Sequence, residues 1–269
     1  MVLLSDRASR PSRRLILAGA LAGIAGRGVA QEKPLRLGLA TSVSNQAAEI
    51  AAREATAQGL PVETIEFNDW NTPNRALADR EIDLNLFQHV PFLEFTKAQT
   101  GYDLVPLGIA YNTPFGLYSR RYKALAELPE NPRIAISGDP VNTGRSLLLL
   151  QKAGYVTLKP GADFRVGMDG ITGYPKPIRI VQLDGPQIAR TLEEMDAALT
   201  YPTFARMAGL APDSALLFEN DAIYAFRFVA RRDRAQDARL LRFVAIYQSS
   251  PAAKAKLQEL YGTLVTFPR

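Results

Sequence analysis

From Leu35 onward, short strand-like runs are each followed by a segment of helical period, and that alternation narrows the fold more than any other feature of the chain. Leu35-Arg36-Leu37-Gly38-Leu39-Ala40 alternates as a strand. Ser42 or Ser44 then caps a helix through Gln58, with Ala47, Ile50, Ala51 and Ala55 on one face and Gly59 as its stop. Val62–Phe67 is a second strand, and Pro73 opens a short helix to Asp79. A third strand covers Asp83–Phe87, and Pro91 opens a helix to about Thr100. Two passes of this length suit a mostly parallel sheet.

The pattern then changes to extended chain broken by proline, from Tyr102 through Tyr111-Asn112-Thr113-Pro114-Phe115 to Ser119. This reads as a crossing into a second lobe. That lobe holds strands at 133–137, 178–183 and 197–200, a helix after Pro140, a short helix from Pro186 and another near Phe204. A second extended stretch, Tyr224–Ala230, leads back, and helices at 235–249 and 251–261 complete the first lobe. The expected divisions are 1–30 as a leader, 31–115 with 226–269 as lobe 1, and 116–225 as lobe 2. Two lobes joined by two extended strands form a hinge, with a ligand cleft between them.

Residues 1–30 read as an export signal. Arg7, Arg10, Arg13 and Arg14 precede the apolar run Leu15–Ile24, and Gly28-Val29-Ala30 offers a cleavage site near Ala30. The run is too short to span a membrane. Arg13-Arg14 resembles a twin-arginine signal, with ordinary secretion as the other route. The leader also carries most of the charge. The chain has 32 Lys+Arg and 27 Asp+Glu; five of the arginines and one aspartate lie in 1–30, which leaves 27 against 26, a net of +1. That balance argues against a nucleic-acid partner. With 0 cysteines and 1 histidine, the sequence offers no thiol chemistry, no usual metal cluster, no cofactor motif and no cysteine for lipid modification. The expected product is a periplasmic protein without a lipid anchor, with a monomer as the simplest state.

Three turns carry the chemistry. Gly138-Asp139-Pro140-Val141-Asn142-Thr143-Gly144-Arg145 follows an apolar strand and begins a helix, capped by either Asp139 or Asn142. Free N–H groups at a helix start beside a guanidinium make a carboxylate or phosphate receptor, although an ordinary capped helix has the same pattern. Asp69-Trp70-Asn71-Thr72-Pro73 and Phe87-Gln88-His89-Val90-Pro91-Phe92 occupy equivalent turns after strands, where an open α/β sheet lines its crevice. Trp70 and Phe92 there cover either a core or a ligand. His89 either orients a ligand or caps a helix. A Ser–His–Asp hydrolase is the competing class, but the chain has no Gly-x-Ser-x-Gly turn and no Gly-x-Gly-x-x-Gly loop, so it is not expected to be an enzyme.

Phe87-Gln88-His89 with Pro91, Asp139-Pro140 through Asn142 to Gly144-Arg145, and Leu147-Leu148-Leu149-Leu150-Gln151-Lys152 together resemble, in order and spacing, the NlpA-type methionine-binding lipoproteins. The resemblance runs from Leu35 to about Tyr261. It implies an α/β periplasmic binding protein of type 2, with two mixed sheets flanked by helices, serving an ABC importer whose permease and ATPase are its partners. By the same resemblance, Arg145 grips a ligand carboxylate and Asn142 lines the cleft. Trp70, Phe87, His89 and Phe92 wrap an apolar, thioether-like body. Tyr201 and Phe226 stand where the family has asparagines that hold the ligand's polar end. The expected ligand is therefore a small carboxylate, either a methionine-like amino acid or an organic anion lacking the amine.

Overall fold

The structure, a computed structural model, describes residues 33–268. The expected leader, its arginine pair and its cleavage point lie outside the described residues. The chain begins with β1 (Leu35–Ala40), α1 (Asn45–Ala57), β2 (Val62–Phe67), α2 (Thr72–Ala78), β3 (Leu84–His89), α3 (Val90–Thr100) and β4 (Leu104–Tyr111). It continues with β5 (Phe115–Tyr118), β6 (Arg133–Ser137), α4 (Pro140–Lys152), β7 (Thr157–Leu158), β8 (Ile171–Gly173) and β9 (Arg179–Leu183). Then come α5 (Ile188–Thr191), β10 (Ala197–Thr200), α6 (Pro202–Met207) and β11 (Leu217–Glu219). β12 (Phe226–Arg231), α7 (Ala238–Ser249) and α8 (Pro251–Tyr261) complete it.

These strands make two five-stranded mixed sheets and a small β7–β8 pair. The first sheet has the order β2-β1-β3-β12-β4. Its first three strands are parallel, and β12 lies antiparallel between β3 and β4. The second has the order β11-β5-β10-β6-β9, with β10, β6 and β9 parallel and β5 antiparallel to both of its neighbours. Helices cover both faces of each sheet. On the first, α1, α7 and α8 press Ala47, Ala51, Phe243 and Leu257 onto Leu37, Leu39 and Phe228, while Leu77 and Leu93 fill the other face against Val229. On the second, α4 sets Leu147 and Leu150 against Ile134, Ile136 and Leu199, and Ile188 and Ala205 cover the reverse face. This is the expected α/β class of two mixed sheets flanked by helices.

The polypeptide passes between the sheets at 112–114 and again at 220–225, and the two passages lie side by side. Asn112 Nδ2 donates to Asn220 Oδ1 at 2.8 Å, and the Asn112 backbone exchanges two hydrogen bonds with Thr266. Several boundaries differ from expectation for local reasons. The third strand ends at His89 rather than Phe87, because its register with β12 carries pairing on to His89 opposite Phe226. The segment after Pro186 opens as a 3₁₀ turn, Gly185–Gln187, before α5. Another 3₁₀ turn, Ala222–Tyr224, delays the returning strand to Phe226. Asp139, not Asn142, is the α4 cap: its carboxylate accepts the Asn142 N–H at 2.9 Å, and Pro140 takes the first helical position, where no N–H is needed. Ser44 sits at the N-cap of α1 but makes no side-chain cap there; its hydroxyl is engaged with Ser42 and Tyr111.

Candidate functional site

Turn chemistry at the ends of β2 and β3 places the first group of side chains. Asp69 accepts from the N–H groups of Asn71 and Thr72, both at 2.7 Å, and so folds the turn that carries Trp70. His89 caps α3: its Nδ1 accepts the Phe92 N–H at 3.2 Å, and Pro91 follows in the first turn. Beneath both turns, Asn74, Asn85 and Gln88 form a closed amide cluster with contacts of 2.6–3.0 Å, which fixes α2 against β3. Nothing in the local sequence pattern distinguishes that cluster, since buried amides have no periodic signature.

Across the first sheet, register sets the second group. Phe226 pairs with His89 on one side and Tyr111 on the other. Its ring stacks on Tyr111 with centroids 4.9 Å apart and meets Tyr201 at 5.5 Å. Trp70 contacts Phe92 and Tyr201 edge-on at 6.4 Å each, and Phe204 at 6.0 Å. Phe87 meets Phe92 at 5.9 Å. These rings enclose a cavity of about 50 Å³. Trp70, Phe87, His89, Phe92 and Phe226 border it from the first sheet and its turns, and Asn142, Tyr201, Thr203 and Phe204 from the second. Ser42, Ser44, Tyr111 and Tyr261 add hydroxyls at one end. Ser42 Oγ lies 2.9 Å from Thr203 Oγ1 and 2.5 Å from Ser44 Oγ, which in turn is 2.8 Å from the Tyr111 hydroxyl. The Ser42–Thr203 contact joins the two halves of the molecule.

Arg145 has a different setting from the one expected. It does not line this cavity. It is 1% exposed, and its Nε donates to Glu219 Oε1. Its Nη1 donates to the Tyr201 hydroxyl at 3.0 Å, and its Cζ lies 3.8 Å from the Tyr224 ring centre and 4.7 Å from that of Phe115. The Tyr201 hydroxyl in turn donates to Asn142 Oδ1 at 3.0 Å, and Asn142 Nδ2 donates to both oxygens of Asp139. The guanidinium is therefore one member of a relay running Glu219–Arg145–Tyr201–Asn142–Asp139, and one face of an open hollow lined also by Glu219 and Tyr224. Its Nη2 is buried with no partner. Of the eight side chains expected at the site, seven border the cavity and Arg145 stands behind Tyr201. Glu219, Thr203 and the hydroxyl cluster were not anticipated.

The electrostatics follow from burial. Burial, aided by the Arg145 charge, pushes the His89 imidazole down to about 3 against the opposing pull of Asn142. The ring is neutral near pH 7. Because Nδ1 is the acceptor, Nε2 carries the proton and faces Asn142 Oδ1 at a long 3.5 Å. Such a ring does not accept a proton readily, and its one basic lone pair, on Nδ1, is already held by the Phe92 N–H. Burial likewise raises the Tyr201 hydroxyl well above its ordinary value, so it stays a neutral donor.

Comparison with known proteins agrees with the resemblance seen in the sequence. The profile of the family described as NlpA lipoprotein matches residues 35–266, and the chain belongs to that family. A D-methionine-binding lipoprotein MetQ of Salmonella typhi is 37% identical over 256 residues, spanning 93% of this chain and 94% of its own length. Among solved structures, an ABC transporter periplasmic substrate-binding protein from Coxiella burnetii superposes with a TM-score of 0.81 at 36% identity, covering 87% of this chain and 100% of that one. A nutrient-binding protein from Burkholderia cenocepacia bound to methionine gives 0.80 at 32% identity, covering 86% and 98%. The relatives are binding lipoproteins rather than enzymes. One expectation is overturned. The family and its relatives are named as lipoproteins, so the assignment to a periplasmic protein without a lipid-modified cysteine does not stand, although the 269 residues contain 0 cysteines. The twin-arginine reading finds no support in these relatives either.

Proposed function

We propose, starting from membership of the NlpA lipoprotein family, that this protein is the substrate-binding component of an ABC importer. It would take a small organic ligand with an apolar body into the cavity between its two sheets. The sheets and their helices would act as two lobes, 31–115 with 226–269 and 116–225, turning about the paired passages at Asn112 and Asn220. The observation that carries this reading is the composition of the cavity wall, which draws aromatic side chains from both halves of the molecule. A wall of that kind is complete only when the halves are together, so ligand contact and closure are coupled. Trp70, Phe87, Phe92 and Phe226 would wrap the body, with His89, Asn142 and Tyr201 at its edge and Arg145 supporting Tyr201 from behind. A permease and its ATPase would read the closed form.

A carboxylate ligand, methionine-like or lacking the amine, is a second reading. The unpartnered, buried Nη2 of Arg145 favours it, because an orphaned guanidinium donor is costly until an acceptor arrives. Thermal melting of the purified protein against amino acids and small organic acids tests the receptor reading. A ligand at a hundred times its Kd adds about 2.7 kcal/mol. Turnover of any compound that stabilises the protein would replace this reading with an enzymatic one.

A further inference from the structure

We infer that the groove between β4, α7 and α8, on the first sheet, is a second ligand site that takes an organic phosphate ester. It shares no lining residue with the central cavity, so the inference goes beyond the receptor reading and does not rest on it. The groove measures about 700 Å³, within the range of small-molecule sites.

Two cations line the groove, and among the described residues no Asp or Glu does. Arg227 comes from β12 and Lys254 from α8. The ladder is irregular on both sides of Arg227, towards β4 before it and towards β3 after it, and irregularities of this kind re-aim a side chain. Among the described residues neither cation has an ion-pair or hydrogen-bond partner for its side chain. Arg231, on the same strand, shows the contrast: it donates to the carbonyls of Leu77 at 3.1 Å and Ile82 at 3.4 Å, and it pairs with Asp233. Burial draws the Arg227 guanidinium below its usual value with no carboxylate pulling it back, yet an arginine stays charged.

The groove also holds donors in need of an acceptor. Arg227 Nε is buried with no partner, and so is the hydroxyl of Tyr247, a side chain 3% exposed that lines the same groove. Burial raises that hydroxyl, so it stays a neutral donor. Gln248 is engaged in the fold instead, its Nε2 donating to the Ile109 carbonyl at 2.8 Å and tying α7 to β4. Buried donors without acceptors are costly, and an anion supplies the acceptors.

Charge sets the ligand class. Two unpaired cations suit a phosphate monoester, which carries about −1.5 to −2 at pH 7 and offers three acceptor oxygens, better than a singly charged carboxylate. The guanidinium fork meets two of those oxygens, and the ammonium acts as a point charge. Lys254 Nζ lies 5.8 Å from the Phe267 ring centre. Leu257, Phe267 and Pro268 make the remaining wall apolar, which suits the organic part of an ester.

The same chemistry is found in a soluble ester and in a lipid headgroup, and two arms separate them. The full protein is titrated calorimetrically with n-butyl phosphate and with inorganic phosphate, at ionic strength held constant by sodium chloride. In parallel it is sedimented with phosphatidylcholine vesicles with and without phosphatidate. The variants are Arg227→Gln, Lys254→Gln and, as a charge-matched control outside the groove, Lys256→Gln, whose lysine is paired with Glu259. Melting temperatures report folding, and Lys254→Gln carries the test where Arg227→Gln fails to fold. The expected result is saturable binding of n-butyl phosphate, tighter than that of inorganic phosphate, weakened about tenfold or more by either groove variant and unchanged in the control. Phosphatidate-dependent sedimentation that the groove variants abolish, without a response to the soluble ester, supports the site and assigns the headgroup as its source. No saturable response in either arm, or equal binding by the groove variants and Lys256→Gln, overturns the inference.

Discussion

Trp70 occupies the space that a side chain on Gly185 would need. Its indole lies so close to the Gly185 Cα that a Cβ there would run into Cη2 and Cζ3, with Cζ2 at 2.8 Å. Trp70 belongs to the turn after β2 and Gly185 to the turn after β9, so the contact joins the two halves of the molecule beside the cavity. Gly185→Ala should cost about 1–3 kcal/mol in the state that makes this contact. If that state forms on ligand binding, the melting temperature without ligand stays near wild type while Kd rises by about 5–150-fold. Trp70→Leu in the same background should recover part of the loss in fit. A fall in melting temperature with unchanged Kd would mean that the contact belongs to the resting fold.

His89 makes stability depend on pH in a defined direction. Its folded value of about 3 lies below the ordinary 6.5, so between those limits the unfolded chain binds the extra proton. The contribution is fully present above about pH 6.5 and is lost as pH falls towards 3, for a total of a few kcal/mol at roughly 1.4 kcal/mol per unit. His89→Gln removes the titration while leaving an amide able to meet the Phe92 N–H. As pH falls from about 6.5 towards 4, the urea midpoint of the wild type should drop relative to that of the variant, which has no imidazole to charge in the unfolded chain. A constant difference across that range would mean that the ring is not held neutral.

Much of the frame was legible in the sequence, because burial on both faces makes apolar runs such as Arg133–Ser137 and Ala197–Thr200 plain, and proline marks the starts of α2, α3, α4 and α8. The rims of the cavity were legible from the turns at strand ends: Trp70 lies in the turn after β2 and His89 is the last residue of β3. What escaped was everything decided across long sequence separations. Glu219 lies on a three-residue edge strand whose pairing with β5 has no local signature, yet it answers Arg145 from 74 positions away. With that partner unseen, a guanidinium at a helix start read as an open anion seat. Thr203 and Ser42, 161 positions apart, escaped in the same way.

The Arg145–Glu219 pair should respond asymmetrically to mutation. The Arg145 side chain is 1% exposed and that of Glu219 21%, so water can take over the acid's charge far better than the base's. Glu219→Gln leaves a buried cation without its counter-ion and should cost about 1–3 kcal/mol, below the 3–5 of a fully buried pair because of that exposure. Arg145→Met keeps much of the packing against Phe115 and Tyr224 and leaves an acid that can hydrate, so it should cost less. Urea denaturation of both variants is the measurement. The reverse order would show that Arg145 stabilises mainly through its stacking and its bond to Tyr201.

Gly144 is the position in the cavity-side helix where size alone decides the outcome. A Cβ there would run into the carbonyl oxygen of Phe164, with the carbonyl carbon at 2.6 Å and the Val166 carbonyl oxygen at 2.9 Å. These are backbone atoms and cannot turn aside as a flexible side chain would. An alanine ordinarily favours a helix over glycine by about 0.8–1.0 kcal/mol, so propensity predicts stabilisation and packing predicts the opposite. Overpacking of about 1–3 kcal/mol should prevail, and Gly144→Ala should lower the urea midpoint. It should also disturb the relay, because a shift of α4 carries Asn142 and Arg145 together away from Tyr201. Ligand-induced stabilisation should then fall along with overall stability. A variant more stable than wild type would show that the 164–166 segment yields freely and does not set the position of α4.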